Sequence, residues 1–162
     1  ASQPGKGSTF TAYFPILAES AAAPVPEAAK AAAALPRGTA IFLAEDDSPV
    51  REFLARSLRG LGADVKPFPG PEALLEAAAG YLGRIQLLIT DIVMPGMDGF
   101  EVAERLKRDR PETAVIYMSG YTDPDIFKGR LERPGIISLQ KPFPAEALAA
   151  AVARALAAGE AA

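Results

Sequence analysis

Residues 40–50 read AIFLAEDDSPV: five apolar side chains, three acids, then serine, proline and valine. An unbroken apolar run of that length suits a strand buried on both faces. Glu45, Asp46 and Asp47 end it, and Ser48 with Pro49 reads as the N-cap and first-turn pair of a helix, Asp47 competing for the cap. Val50, Phe53, Leu54, Leu58 and Leu61 then recur at helical spacing until Gly60 and Gly62 stop them. The same cycle repeats four times downstream. Asp64–Phe68 is a short strand before a helix opened by Pro71 and ended by Gly80. Leu87–Thr90 runs through Asp91 and IVMPGMDG (92–99) into a helix marked by Phe100, Ala103 and Leu106. Ala114–Met118 precedes a short helical turn at 123–128, closed by Pro134–Gly135. Ile136–Gln140 precedes a long helix, Pro144–Ala158, with Leu148, Val152 and Leu156 on one stripe. Five strand–helix units with apolar strands predict an α/β fold, a doubly wound five-stranded parallel sheet with helices on both faces.

Upstream, the texture differs. Residues 1–17 hold a Gly-rich turn and the β-favouring run Thr9–Phe14. Residues 18–38 are mostly Ala, with Pro at 24, 26 and 36, and read as a linker because they offer too little apolar surface to offset ordering entropy. The folded unit is then expected over 39–160. The chain opens at Ala1, not Met, which suggests excision from something longer.

Composition narrows the chemistry. Among 162 residues there is no Cys and no His, so disulfides, thiolate or imidazole nucleophiles and zinc sites built on those ligands are excluded. A net charge of −3 argues against a nucleic-acid or anionic-membrane binder. No apolar run is long enough to span a bilayer and no signal peptide is visible; a cytoplasmic location with no direct membrane contact is expected of this segment, a membrane anchor elsewhere in a parent protein being left open.

In doubly wound sheets ligands bind outside the carboxyl ends of the strands. Those ends carry Glu45, Asp46 and Asp47, then Asp91, Ser119 and Lys141. Singly, each has an ordinary explanation: a helix cap, a turn former, a strand end or a solvated charge. With Asp47 set aside for the helix cap, they place three acids (Glu45, Asp46 and Asp91), a hydroxyl and an ammonium on one rim. If Glu45, Asp46 and Asp91 lie within about 4 Å of one another, each pair repels by roughly 4 kcal/mol at an effective dielectric near 20. A hard, oxygen-preferring cation such as Mg²⁺, with Lys141, would relieve that repulsion.

AEDD (44–47), DIVMPGMDG (91–99), MSG (118–120) and QKPF (140–143) resemble the response-regulator receiver domain of two-component signalling, and the resemblance covers about residues 39–158. Separations of 45, 28 and 22 residues between Asp46, Asp91, Ser119 and Lys141 suit that family. The resemblance implies a flavodoxin-like fold, Asp91 as the phospho-accepting aspartate, and Glu45 and Asp46 as the acidic pair that holds Mg²⁺. Asp91 and the Val93 carbonyl would complete the metal site. Ser119 and Lys141 would bind phosphoryl oxygens, and the Lys141–Pro142 bond would be cis. Many receivers carry an aromatic residue three positions before the lysine; this chain has Ser138 there, with Tyr117 and Tyr121 nearby. Tyr121 is expected to flank the pocket.

PGKGSTFTAYFP (4–15) resembles the last glycine box and final strand of a histidine-kinase ATP-binding domain. With the Ala/Pro linker and receiver, this implies the C-terminus of a hybrid sensor kinase whose partner is a histidine kinase or a histidine phosphotransfer protein. Lacking the kinase core, residues 4–15 should not bind ATP, and the only chemistry expected of the chain is its own aspartyl phosphorylation and dephosphorylation at Asp91. Two other classes are open: a haloacid dehalogenase-like phosphohydrolase and a phosphorylation-independent interaction domain. The first wants an Asp two residues after the nucleophile, where Val93 stands, and the complete acid–hydroxyl–lysine set argues against the second.

Overall fold

The runs at 40–44 and 87–91 are buried at every position, which places them at the centre of a sheet rather than its edge. The computed structural model describes residues 2–3, 7–8, 35–36, 38–120 and 125–160; the expected β run Thr9–Phe14 and Tyr121 lie outside these. The chain divides into two units, Ala1–Lys30 and Ala31–Ala162. In the first, β1 (Ser2–Gln3) and β2 (Gly7–Ser8) pair antiparallel, Ser2 opposite Ser8.

The second unit alternates strand and helix. Its elements are β3 (Ala40–Ala44), α1 (Ser48–Gly60), β4 (Asp64–Phe68), α2 (Pro71–Gly80), β5 (Leu87–Asp91), α3 (Gly99–Asp109), β6 (Ala114–Ser119), α4 (Asp125–Leu131), β7 (Ile137–Gln140) and α5 (Ala145–Glu160). All neighbouring strands of its sheet are parallel, in the order β4-β3-β5-β6-β7. The strand order reverses between β3 and β5, and the carboxyl ends of those two strands deliver Glu45, Asp46 and Asp91.

Alternation along each strand splits the core in two. Ile41, Leu43, Leu87, Ile89, Ile116 and Met118 face α1 and α5, where Leu54, Leu58, Leu148 and Val152 meet them. Phe42, Ala44, Leu88 and Tyr117 face the opposite layer, packed by Leu74 of α2, Phe100 and Leu106 of α3, and the partly buried Phe127 and Leu131 of α4. Among the described residues no helix is long and apolar enough to cross a membrane.

Three local expectations change. The cap of α1 is Asp47, whose Oδ1 accepts from the Val50 amide at 3.0 Å, and Ser48 is already helical; an anionic oxygen is the better partner for the positive end of a helix. Helix α4 runs on to Leu131, because Phe127 and Leu131, one turn apart, both reach the core. Leu35, inside the stretch read as linker, is buried, and its amide donates to the Leu61 carbonyl at 2.9 Å. A single large apolar residue in an Ala-rich segment is enough to dock its end on the core.

Candidate functional site

Strand β3 delivers Glu45 and Asp46 because the parallel ladder stops at Ala44. The chain then turns, with the Glu45 amide still donating to Phe68 O at 3.2 Å. The Asp47 amide donates to Glu45 Oε1 at 3.4 Å, and the Arg51 guanidinium donates to the carbonyls of Glu45 and Asp46 at 2.6 and 3.0 Å. Glu45 is buried while Asp46 is exposed. Asp91 is the last residue of β5 and 9% exposed. Carboxylate oxygens of Glu45, Asp46 and Asp91 lie within 4.8 Å of one another.

Lys141 follows β7 and reaches into the same pocket. Its Nζ donates to Glu45 Oε2 at 2.6 Å and to Asp91 Oδ2 at 2.5 Å. Its backbone amide donates to Ser119 O at 2.7 Å, so the carboxyl ends of β6 and β7 are tied together. The Lys141–Pro142 peptide is cis. Ser119 closes β6, 9% exposed and one residue beyond the Asp91–Met118 register pair. Val93 lies on the loop after β5 with its side chain in solvent, so only its backbone is a candidate for the site.

Burial pushes the Glu45 carboxyl above its ordinary value of 4.5; the charge of Asp91 adds to this, and the hydrogen bond from Lys141 opposes it. Burial alone would lower the Lys141 ammonium, but its hydrogen bonds to Asp91 and Glu45 outweigh it and raise the group above 10.5. Three carboxylates against one ammonium still leave two formal negative charges. An all-oxygen donor set with that deficit fits a hard divalent ion of the Mg²⁺ type, and softer metals have no thiolate or imidazole here.

Two contributors escape a reading by residue type. Arg51 resembles any solvated helix arginine until the turn before α1 is seen to bring two carbonyls to its guanidinium. Gly99 opens α3 where a Cβ would collide with the Asp91 backbone oxygen and sit 3.0 Å from Thr90 Oγ1. The DG pair at 98–99 was the available signal: Asp98 Oδ1 caps α3 by accepting from the Glu101 amide at 2.8 Å, and the glycine lets the helix start directly against β5.

With this geometry the chain can be compared with known proteins. Residues 41–153 match the response regulator receiver domain family. Over 158 residues the chain is 32% identical to the sensor kinase CckA of Brucella abortus (strain 2308), an alignment covering 93% of this chain and 17% of that protein. It is 33% identical over 116 residues to the DNA-binding transcriptional regulator NtrC of Escherichia coli (strain K12), covering 72% of this chain and 24% of that protein. The chain thus spans less than a quarter of the length of either curated relative. A crystal structure of a response regulator receiver protein from Sinorhizobium medicae WSM419 aligns with a TM-score of 0.67 at 25% identity, covering 75% of this chain and 97% of that one. The match takes in all five strands of the parallel sheet and the acids at its switch point, and the chain belongs to the response regulator receiver domain family.

Proposed function

We propose that the chain takes a phosphoryl group from a phosphohistidine of a partner protein onto Asp91, as the receiver module of a hybrid sensor histidine kinase. The observation that carries this is Asp91 at the end of β5, hydrogen-bonded by Lys141 and facing the Glu45–Asp46 pair. An Asp91 carboxylate oxygen attacks the phosphorus in line, the P–N bond breaks, and the imidazole leaves with its electron pair. Lys141, already on the Asp91 carboxylate, moves its N–H bonds to a phosphoryl oxygen, and the Ser119 hydroxyl donates to another. A magnesium ion held by Glu45, Asp46, Asp91 and the Val93 carbonyl would neutralise the phosphoryl charge. The product adds about −1.5 to −2 charges at the end of β5, which draws Ser119 and the following loop inward and biases a two-state surface. Attack of water on the same phosphorus returns the carboxylate and frees phosphate.

The hybrid-kinase setting is supported by the reach of the CckA alignment, which extends well beyond residues 41–153. On this reading residues 1–17 belong to a kinase ATP-binding domain, 18–38 form the linker, 39–160 form the receiver, and the module works in the cytoplasm. The similarity to NtrC favours a second setting, a receiver within a DNA-binding transcriptional regulator. Site chemistry is the same in both.

Mass spectrometry after incubation with acetyl phosphate and Mg²⁺ tests the core of this. One labile phosphoryl group is expected on the wild-type chain; Asp91→Asn should abolish it, and EDTA should suppress it. Continuous turnover of small phosphate esters would instead establish a phosphohydrolase, and an unmodified chain would leave only an interaction domain.

A further inference from the structure

We propose that Arg51 is a positioning residue for the acidic pair, holding the turn at 45–47 so that two carboxylates are presented to a divalent cation; this rests on the reading of Glu45, Asp46 and Asp91 as a magnesium site. Where a chain leaves a parallel ladder its carbonyls lose their strand partners, and buried or half-buried carbonyls need replacements. Here one side chain supplies two of them, and the helix itself supplies the third. Arg51 Nη1 donates to Glu45 O at 2.6 Å and to Asp46 O at 3.0 Å, while Asp47 O takes the first ordinary helical bond of α1, from the Arg51 backbone N–H at 2.9 Å. From the other side the Glu45 amide is fixed on Phe68 O. The turn is therefore held between β4 and the second turn of α1.

The guanidinium bonds to carbonyl oxygens, not to the carboxylates, so it acts through the backbone. A planar, always-charged group gives up little freedom on forming two such bonds, and its charge lies beside a pocket with two negative charges to spare. Glu45 is anchored a second time by Lys141. Among the described residues no ammonium holds Asp46, so the direction of its carboxylate follows the turn. Groups that orient metal ligands in this way typically change metal affinity by about 10–100-fold when removed.

The test is calorimetric titration of Mg²⁺ into the full chain, with amide spectra of the metal-free protein. Arg51→Met keeps the aliphatic stem and removes the donors; it should weaken Mg²⁺ binding by about tenfold, with shifts confined to residues 45–48 and 91. Arg51→Lys keeps a cationic donor of similar reach and should restore most of the affinity. If Arg51→Met does not fold, Arg51→Gln, neutral and shorter, takes its place with the same expectation. Binding in Arg51→Met within about twofold of wild type would overturn the proposal, as would equal losses in Met and Lys variants with shifts spread across the sheet. Failure of the wild-type chain itself to bind Mg²⁺ would remove the underlying site instead, so the two failures are distinct.

Discussion

Lys141 donates to both Glu45 and Asp91, so removing its ammonium leaves two buried carboxylates with nothing between them. Breaking a buried pair from one side typically costs about 3–5 kcal/mol; because the lysine side chain is 23% exposed, Lys141→Ala is expected toward the lower end. Urea denaturation should show that loss partly recovered by Mg²⁺. The variant should still bind metal, but phosphorylation should no longer move the surface. Glu45 gives a pH signature. Its folded value is raised above 4.5, so its favourable contribution is fully present below 4.5 and is lost as pH rises through the raised value. Glu45→Gln should flatten that decline in the urea midpoint, whereas Lys141→Ala should steepen it, because the lysine's lowering influence is gone. The acids and the lysine were legible from residue type and from the rule that sites lie at strand ends. What could not be read was the pairing: nothing in the spacing of Glu45 and Asp46 says which one buries itself against the ammonium.

At the scale of elements, α3 and β6 show how closely packing governs the site. A methyl at position 99 would meet the backbone oxygen of Asp91, so Gly99→Ala must push the start of α3 off the end of β5. Overpacking of this kind costs about 1–3 kcal/mol; a matching drop in the denaturation midpoint and slower Asp91 phosphorylation are expected together. On β6, Tyr117 sits in register with Ser138 and stacks on Phe100 with ring centroids 4.4 Å apart. Phe100 in turn stacks on Phe127 of α4 at 5.8 Å and lies under Arg130, which is paired to Glu104 at 2.9 Å. An aromatic layer thus stands beside the position where many receivers have an aromatic. Burial pushes the Tyr117 phenol from 10.0 up to about 12. Its stabilising contribution is present below pH 10 and lost as pH rises toward 12, and Tyr117→Phe should remove that part of the alkaline decline when compared with wild type at each pH. Strand β4 and helix α2 end where Pro, Gly and alternating apolar residues say they should. The cap of α1 and the length of α4 did not follow so directly, since Asp47 and Ser48 compete for one amide and the seven residues of α4 are too few to show a period.

For the molecule as a whole, the reversal of strand order between β3 and β5 brings the acids together, and the short tie from Lys141 N–H to Ser119 O links the far side of the sheet to them. Phosphorylation of Asp91 should therefore shift amide resonances chiefly from Ser119 through Leu131, leaving α1 and α2 quiet; an unchanged spectrum would remove the switch. Sheet class and the location of the pocket followed from five apolar runs and their acidic ends, because both depend on burial. The docking of Leu35 did not, because one leucine in an alanine-rich stretch has no pattern to announce it.

The lysine bonds to groups that precede it by 96 and 50 residues. During synthesis, which proceeds from the N-terminus, all three acids leave the ribosome well before their balancing ammonium. A nascent chain paused short of Lys141 has the acids but not the ammonium that bonds Glu45 and Asp91. Locking of the domain thus waits for Lys141, and chains truncated within β7 should be prime clients for proteolysis.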